Sequence, residues 1–305
     1  MVRRKLRLIR PPALAEGDLI GLAAPAGPFP LDRFEAGRAR IETLGFKTFS
    51  PRQVFERQDY LAGSDRNRIR TFTALAGNKR VSAIMAIRGG YGSLRLLDRL
   101  DLGMIQERPK IIIGFSDLTA LLLHLYRTVG LVTFHGPMAA SLAEADEDTA
   151  GHLRRLITGQ RVFPLPLEAA GIIKPGRAEG YLLGGNLTMI VHLLAAGRLP
   201  DLKDAILFLE DTGEAPYRLD RMLTTLRLAG ILDRLRGLIF GRFEDCGTQE
   251  EIDRVLRLAL VKFAGPVVTG FPLGHGRRNL ALPLGPLAVL DTRAGLLDLL
   301  EPYLS

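Results

Sequence analysis

Apolar runs of strand length alternate with amphipathic stretches through the first half of the chain. Residues 19–24, 81–87, 111–113 and 131–134 are dense in Leu, Ile, Val and Ala and read as buried strands. Between them, 31–44 sets Phe34, Ile41 and Leu44 at helical spacing. Residues 66–76, 92–100 and 119–129 also read as helices. This β-α-β-α order predicts a mainly parallel sheet covered by helices, with active residues at the carboxyl ends of the strands.

From 145 to 180 the pattern weakens. Residues 165–180 hold two prolines and three glycines without a clean period, which reads as a linker. A second α/β unit follows. Gly184-Gly185-Asn186 precedes a helix at 187–196, and 205–210 is a strand. Leu219, Met222, Leu223 and Leu226 share one face of a helix at 219–229, with Gly230 as its stop. Strands at 237–241 and 267–269 flank a helix at 250–263. The expected domains are 1–160 and 179–305, joined by a linker at 161–178.

Three segments carry candidate chemistry. Ser116, in Gly114-Phe115-Ser116-Asp117-Leu118, stands at a strand-to-helix corner. Such a corner can hold a nucleophile, because the glycine permits a sharp turn and the helix start offers free N–H groups. It also suits an ordinary N-cap, a role serine favours. Leu118 occupies the place of the second glycine in G-x-S-x-G. The strand at 205–210 delivers Glu210 and Asp211, with Glu214 beyond a glycine. Glu210 and Asp211 are both placed to orient a histidine. His275 lies between Gly274 and Gly276, so nothing bulky beside it blocks close approach. Serine, acid, histidine is one of the chain orders found in hydrolytic triads.

The loop Arg88-Gly89-Gly90-Tyr91-Gly92 lacks the lysine of a phosphate loop and the spacing of a dinucleotide fingerprint. It suits an oxyanion hole, in which the N–H of Gly89 or Gly90 would join that of Asp117. Arg88, Gly89 and Tyr91 are the candidate substrate-binding residues. Arg88 is the first choice for a terminal carboxylate, followed by Arg277 and Arg278, because a guanidinium pairs bidentately. Ser93 is a rival nucleophile with no histidine partner in sequence. Asp220 reads as a helix cap. Among the other histidines, His124 and His192 read as core residues, His152 as exposed, and His135 as a turn residue near the site. No H-E-x-x-H and no cysteine pair occurs, so no metal and no cofactor is expected.

In order and spacing these segments resemble the LD-carboxypeptidases, also called muramoyltetrapeptide carboxypeptidases, whose relatives include the microcin immunity peptidases. The resemblance runs from Gly17-Asp18-Leu19-Ile20 through Arg88–Gly92, Gly114–Asp117, Phe134–Pro137 and Gly184–Asn186. It continues through Phe208–Asp211 and Tyr217–Asp220 to Gly274–Gly276. It implies Ser116 as nucleophile, His275 as general base and Glu210 as the orienting acid. The implied fold class is α/β: a flavodoxin-like, parallel-sheet N-terminal domain and a smaller C-terminal α/β domain, with the active site in the interdomain cleft. The implied reaction releases the C-terminal D-alanine from murein tetrapeptides in cell-wall recycling. The alternatives are cleavage of a peptidyl-nucleotide antibiotic, or a ligand-binding relative without catalysis.

Composition narrows the partners. The chain has 305 residues, 47% of them hydrophobic, which is ample for packed cores. No apolar run reaches the roughly 18 residues that span a bilayer. The basic residues at 1–10 lead into Pro11-Pro12 and not into an apolar segment, so no signal peptide is read. The single cysteine, Cys246, reads as an inert structural thiol and suits a reducing cytoplasm. The net charge of +8 comes from dispersed arginines without a nucleic-acid-binding pattern. That charge is compatible with a small acidic peptide, and the resemblance implies a muropeptide; no nucleic acid and no membrane is expected as a partner. A homodimer is the assembly considered.

Overall fold

The computed structural model describes residues 7–167 and 170–305; the basic stretch at 1–6 lies outside them. Among the described residues the strands form two sheets. The first holds β1 (Leu19–Ala23), β2 (Lys47–Phe49), β3 (Val81–Ala86), β4 (Ile111–Gly114) and β5 (Thr133–His135), all parallel, in the order β5-β4-β3-β1-β2. β4 is buried along its whole length, as a central parallel strand covered on both faces must be.

The second sheet is built on a parallel set: β8 (Arg177–Asn186), β9 (Ala205–Thr212), β10 (Gly237–Glu244) and β11 (Val267–Thr269). Two short strands precede that set in sequence. β6 (Leu165–Pro166) and β7 (Gly171–Lys174) both join this sheet, β7 antiparallel to β11. The segment 161–178, expected as a linker, thus supplies edge strands to the second sheet. Its prolines and glycines are tolerated there because an edge strand leaves one side unpaired. β12 (Leu282–Leu284) crosses back to pair antiparallel with β5 in the first sheet. β13 (Leu287–Asp291) and β14 (Leu296–Leu299) then complete the second. The chain therefore ties the two halves together twice.

The helix Thr119–Val129 lies between the halves, which explains why it is buried on nearly every side. Gly185, near the end of β8, allows the close approach: a Cβ there would lie 2.5 Å from Thr119 Oγ1. The Asn186 N–H donates to that same oxygen over 3.0 Å. The corner carrying Ser116 is thereby fixed against the second sheet.

Several elements differ from the reading of the sequence. Residues Ser93–Arg99 form a 3-10 helix, following a Gly92 at φ +130°. The helix expected to begin at 219 runs from Pro216 to Leu228, because proline suits a first helical position. Asp220 consequently lies inside that helix, exposed, and caps nothing. A helix at Glu147–Ile157, capped by Asp146 Oδ1 accepting from the Thr149 N–H over 2.8 Å, occupies the weakly patterned region. It buries His152, read as exposed, whose Nε2 bonds the Ala281 carbonyl at 2.8 Å. His192, read as core, is exposed. No helix among the described residues is long and apolar enough to cross a membrane.

Candidate active site

Ser116 follows β4 and opens a 3-10 turn, Ser116–Leu118, that runs into the helix Thr119–Val129. Its φ is +59°, a left-handed conformation that costs a non-glycine residue about 1–2 kcal/mol. Gly114 makes the turn possible, since a Cβ there would lie 2.8 Å from Leu118 Cβ. The serine is not a cap: Leu118 holds the N-cap position, with no side-chain cap bond. The hydroxyl is thus left free of structural duty.

The Arg88–Gly92 loop packs on this corner. A Cβ on Gly89 would come within 3.0 Å of Ser116 Cβ and 3.2 Å of its Oγ. Gly90 has φ +95°. Asp117, only 3% exposed, clamps the loop: its carboxylate accepts from the N–H of Ser93 at 2.8 Å and of Gly92 at 3.2 Å. Burial nonetheless pushes the Asp117 carboxyl up, against those bonds. Ser93, the rival nucleophile, is fully buried and donates its hydroxyl to the Asp117 carbonyl at 2.6 Å. Arg68 braces the far side through the carbonyls of Pro25 and Gly92. Arg88 is exposed and bonds the Pro28 carbonyl at 2.7 Å, with no carboxylate partner among the described residues. Tyr91 is also exposed, its ring 5.5 Å from that of Tyr60, a residue the sequence gave no reason to single out.

From the second sheet come the acid and the histidine. Glu210, near the end of β9, is fully buried, and its Oε2 lies 2.7 Å from His275 Nδ1. Gly274 permits this contact: a Cβ there would lie 2.7 Å from Glu210 Oε2. Asn279 Oδ1 accepts the Gly274 N–H at 3.0 Å and steadies the loop. Burial opposes charge on His275, but the Glu210 hydrogen bond and the nearby carboxylates of Glu210, Asp211 and Glu244 outweigh it and raise its pKa. The His275 ring packs on Phe115, the neighbour of Ser116, at 4.9 Å between centroids. The two halves of the site therefore meet. Among the described residues no hydrogen bond within 3.5 Å joins Ser116 to His275.

Comparison with known proteins decides the family. Residues 20–136 match the LD-carboxypeptidase N-terminal domain, and 179–290 match its C-terminal domain. The chain belongs to the LD-carboxypeptidase family. It is 34% identical to the murein tetrapeptide carboxypeptidase of Pseudomonas aeruginosa, over 89% of this chain and 92% of that one. It is 31% identical to the microcin C7 self-immunity protein MccF of Escherichia coli, over 96% of each. The structure of MccF in complex with aspartyl sulfamoyl adenosine superposes with a TM-score of 0.91 at 28% identity, over 97% of this chain and all of that one. A muramoyltetrapeptide carboxypeptidase from Oxalobacter formigenes superposes at 0.81 with 30% identity, over 94% and 100% of the respective chains.

The other candidates of this LD-carboxypeptidase homologue have structural duties. Asp211 accepts from Asn186 Nδ2, from the N–H and Oγ1 of Thr188, and from the Thr212 N–H, all at 2.8–2.9 Å. It braces the start of the helix Leu187–Ala195. Glu214 pairs with Arg218. Arg278 pairs with Asp148 at 2.6 Å and is committed there. Cys246 is buried, with its thiol pushed up to about 11 mainly by burial. Among the described residues no group of three or more His, Cys, Asp or Glu could hold a metal ion. A concavity of about 830 Å³ opens away from this site, at the opposite ends of the second sheet's parallel strands, between Ala178, Asp204, Arg236 and Pro266.

His135 was read as bonding a turn. Instead it is fully buried between Phe115 and Phe208, with no hydrogen-bond partner on either ring nitrogen. Burial, with a smaller push from His275, holds its pKa down to about 3. The folded state cannot take the proton that an unfolded histidine binds below about 6.5. Stability should therefore fall as pH drops through 6.5, by up to about 1.4 kcal/mol per unit until the folded value is reached. In urea unfolding at pH 7 and pH 5, the wild type should lose about 2 kcal/mol more than His135→Phe. Equal losses would refute the buried neutral ring.

Proposed function

We propose that this protein is a serine carboxypeptidase that releases the C-terminal D-alanine from murein tetrapeptides, in cytoplasmic cell-wall recycling. The observation that carries the reading is the 2.7 Å bond from His275 to buried Glu210, with the His275 ring packed on Phe115 next to a serine held at φ +59°. With Nδ1 engaged by the carboxylate, Nε2 is the nitrogen free to act as base. Ser116 attacks the carbonyl before the terminal residue, and His275 takes its proton and passes it to the leaving amine. Glu210 fixes the tautomer and balances the imidazolium. The N–H groups of Gly90 and Asp117 hold the tetrahedral oxygen. Water, giving a proton to His275, then hydrolyses the Ser116 ester, which releases the shortened peptide as its acid and returns the proton to the serine oxygen. The serine–histidine bond forms when substrate closes the site, a tightening common in such enzymes. The relatives named as murein carboxypeptidases support this substrate.

The test is D-alanine release from a murein tetrapeptide, combined with fluorophosphonate labelling. Release of D-alanine with the label on Ser116 supports the reading. Turnover without label on Ser116, or turnover abolished by a chelator, would overturn the serine mechanism.

Arg88 is the group assigned to the substrate's terminal carboxylate, since it carries no acid partner of its own. Arg88→Met should slow cleavage of a tetrapeptide by about 10–100-fold while changing that of its C-terminal amide little, the cost of one charge-assisted bond. Equal losses on both peptides would make Arg88 a brace for the loop through Pro28.

One feature favours a second reading, cleavage of a peptidyl-nucleotide. The exposed Tyr60–Tyr91 pair offers a base an aromatic surface, and MccF is named for microcin immunity. An aminoacyl sulfamoyl nucleoside cleaved faster than the tetrapeptide would decide for it.

A further inference from the structure

Four buried side-chain atoms around the His275–Glu210 pair have no hydrogen-bond partner among the described residues: Glu210 Oε1, Asn279 Nδ2 and both ring nitrogens of His135. Glu210 and His135 are fully buried and Asn279 is 3% exposed, so bulk solvent does not serve them. Packed cores rarely leave such atoms unserved, and a buried carboxylate oxygen is the most costly to strand.

The three side chains converge on one loop. Gly274 lies between Asn279 and Glu210. Asn279 Oδ1 accepts the Gly274 N–H at 3.0 Å, and a Cβ on Gly274 would lie 2.7 Å from both Cβ and Oε2 of Glu210. His135 arrives from the first sheet. Its ring packs at 5.0 Å on Phe208, which precedes Glu210 by two residues on the same face of β9. Phe115 links it to His275, with centroids 5.9 Å and 4.9 Å from the two rings.

Their leftover atoms are chemically complementary. The Glu210 oxygen only accepts. Because Oδ1 is taken by Gly274, the amide of Asn279 is fixed and its free nitrogen only donates. A neutral histidine offers one donor and one acceptor. A molecule that both donates and accepts can serve all three. A bare cation cannot, because Asn279 would turn hydrogens toward it.

We propose that Glu210 Oε1, Asn279 Nδ2 and a ring nitrogen of His135 hold one buried water, which ties the orienting acid to the first sheet. The water donates to the carboxylate and accepts from the amide, and its third bond goes to His135. About three bonds of this kind are usual for a buried water. Glu210 is then held from the side that His275 leaves free. His135 and Asn279 are positioning residues that act through the water and Glu210. The water itself does not depend on the triad reading; its effect on turnover does.

High-resolution crystal structures of the wild type and of His135→Phe, with tetrapeptide kinetics on both, test this. Phenylalanine keeps a ring against Phe115 and Phe208 and removes only the nitrogens. The wild type should show an ordered water within about 3.2 Å of Glu210 Oε1, Asn279 Nδ2 and one His135 nitrogen. In His135→Phe that water should be lost and kcat should fall about 10-fold with KM held, the effect of one hydrogen bond on an orienting group. His135→Gln restores a donor and an acceptor but no ring, so it should regain the water and most of the kcat. A packing role alone would reverse that order, leaving the phenylalanine variant the more active. A wild-type site without the water overturns the proposal, whether or not the variants fold. Wild-type kcat in His135→Phe overturns the positioning role. If the wild type cleaves no tetrapeptide, the carboxypeptidase reading fails, while the crystal structures still decide the water.

Discussion

Replacing Ser116 with alanine should leave a folded protein with almost no turnover. The Ser116 hydroxyl caps no helix and makes no hydrogen bond among the described residues, so its loss removes nothing that holds the fold. The left-handed backbone at φ +59° is equally uncomfortable for alanine, so the strain stays. Thermal unfolding should shift by no more than a few degrees. In the proposed mechanism the chemistry depends wholly on that oxygen. Removing a nucleophile of this kind costs on the order of 10⁴-fold or more, and what remains comes from oxyanion binding alone. D-alanine release and fluorophosphonate labelling should vanish together. Turnover within tenfold of the wild type would end the serine mechanism.

The second large effect concerns Glu210. Glu210→Gln keeps the shape of the side chain but replaces a charged acceptor with a neutral amide. That amide can hold His275 in the wrong tautomer, and kcat should fall about 10³–10⁴-fold. The pH profile gives a sharper signature. In the wild type, burial lowers the His275 pKa, but the bond and charge of Glu210 raise it further, so the net value lies above the ordinary one. If His275 is the base, activity should fall as pH drops through that raised value, because the base is then already protonated. Without the carboxylate, burial dominates and the acid limb should move to lower pH. A residual profile with its acid limb unmoved would mean that Glu210 does not set the histidine's charge.

Much of this was legible in the chain. β3, β4 and β9 are runs of apolar residues, and burial between helices demands such runs. Glycines flanking His275 and preceding Ser116 marked places where backbone must come close, and the distances at Gly274 and Gly114 bear on that need directly. Other features were illegible for physical reasons. The helix Glu147–Ile157 hides its inward face among Thr149, Ala150 and His152, which are buried without being conspicuously apolar. Asn279 and Thr149 support the His275 loop through a contact 130 residues long, and no local pattern signals it. Tyr60 belongs to no motif and stands out only through its ring contact with Tyr91.

The sequence by itself determined the main buried strands and amphipathic helices, the two α/β units and the residue types able to do acyl transfer, because these follow from local periodicity and from side-chain chemistry. It left Glu210 and Asp211 level by position, and only the family resemblance chose between them. Tertiary structure shows their different use: Glu210 meets the histidine, while Asp211 is consumed by Asn186, Thr188 and Thr212. It also decided that 161–178 would be edge strands and that β12 would return to the first sheet. Which donor a carboxylate meets, and which edge a short strand joins, depend on packing between segments far apart in the chain. That information exists only once the two sheets are in contact.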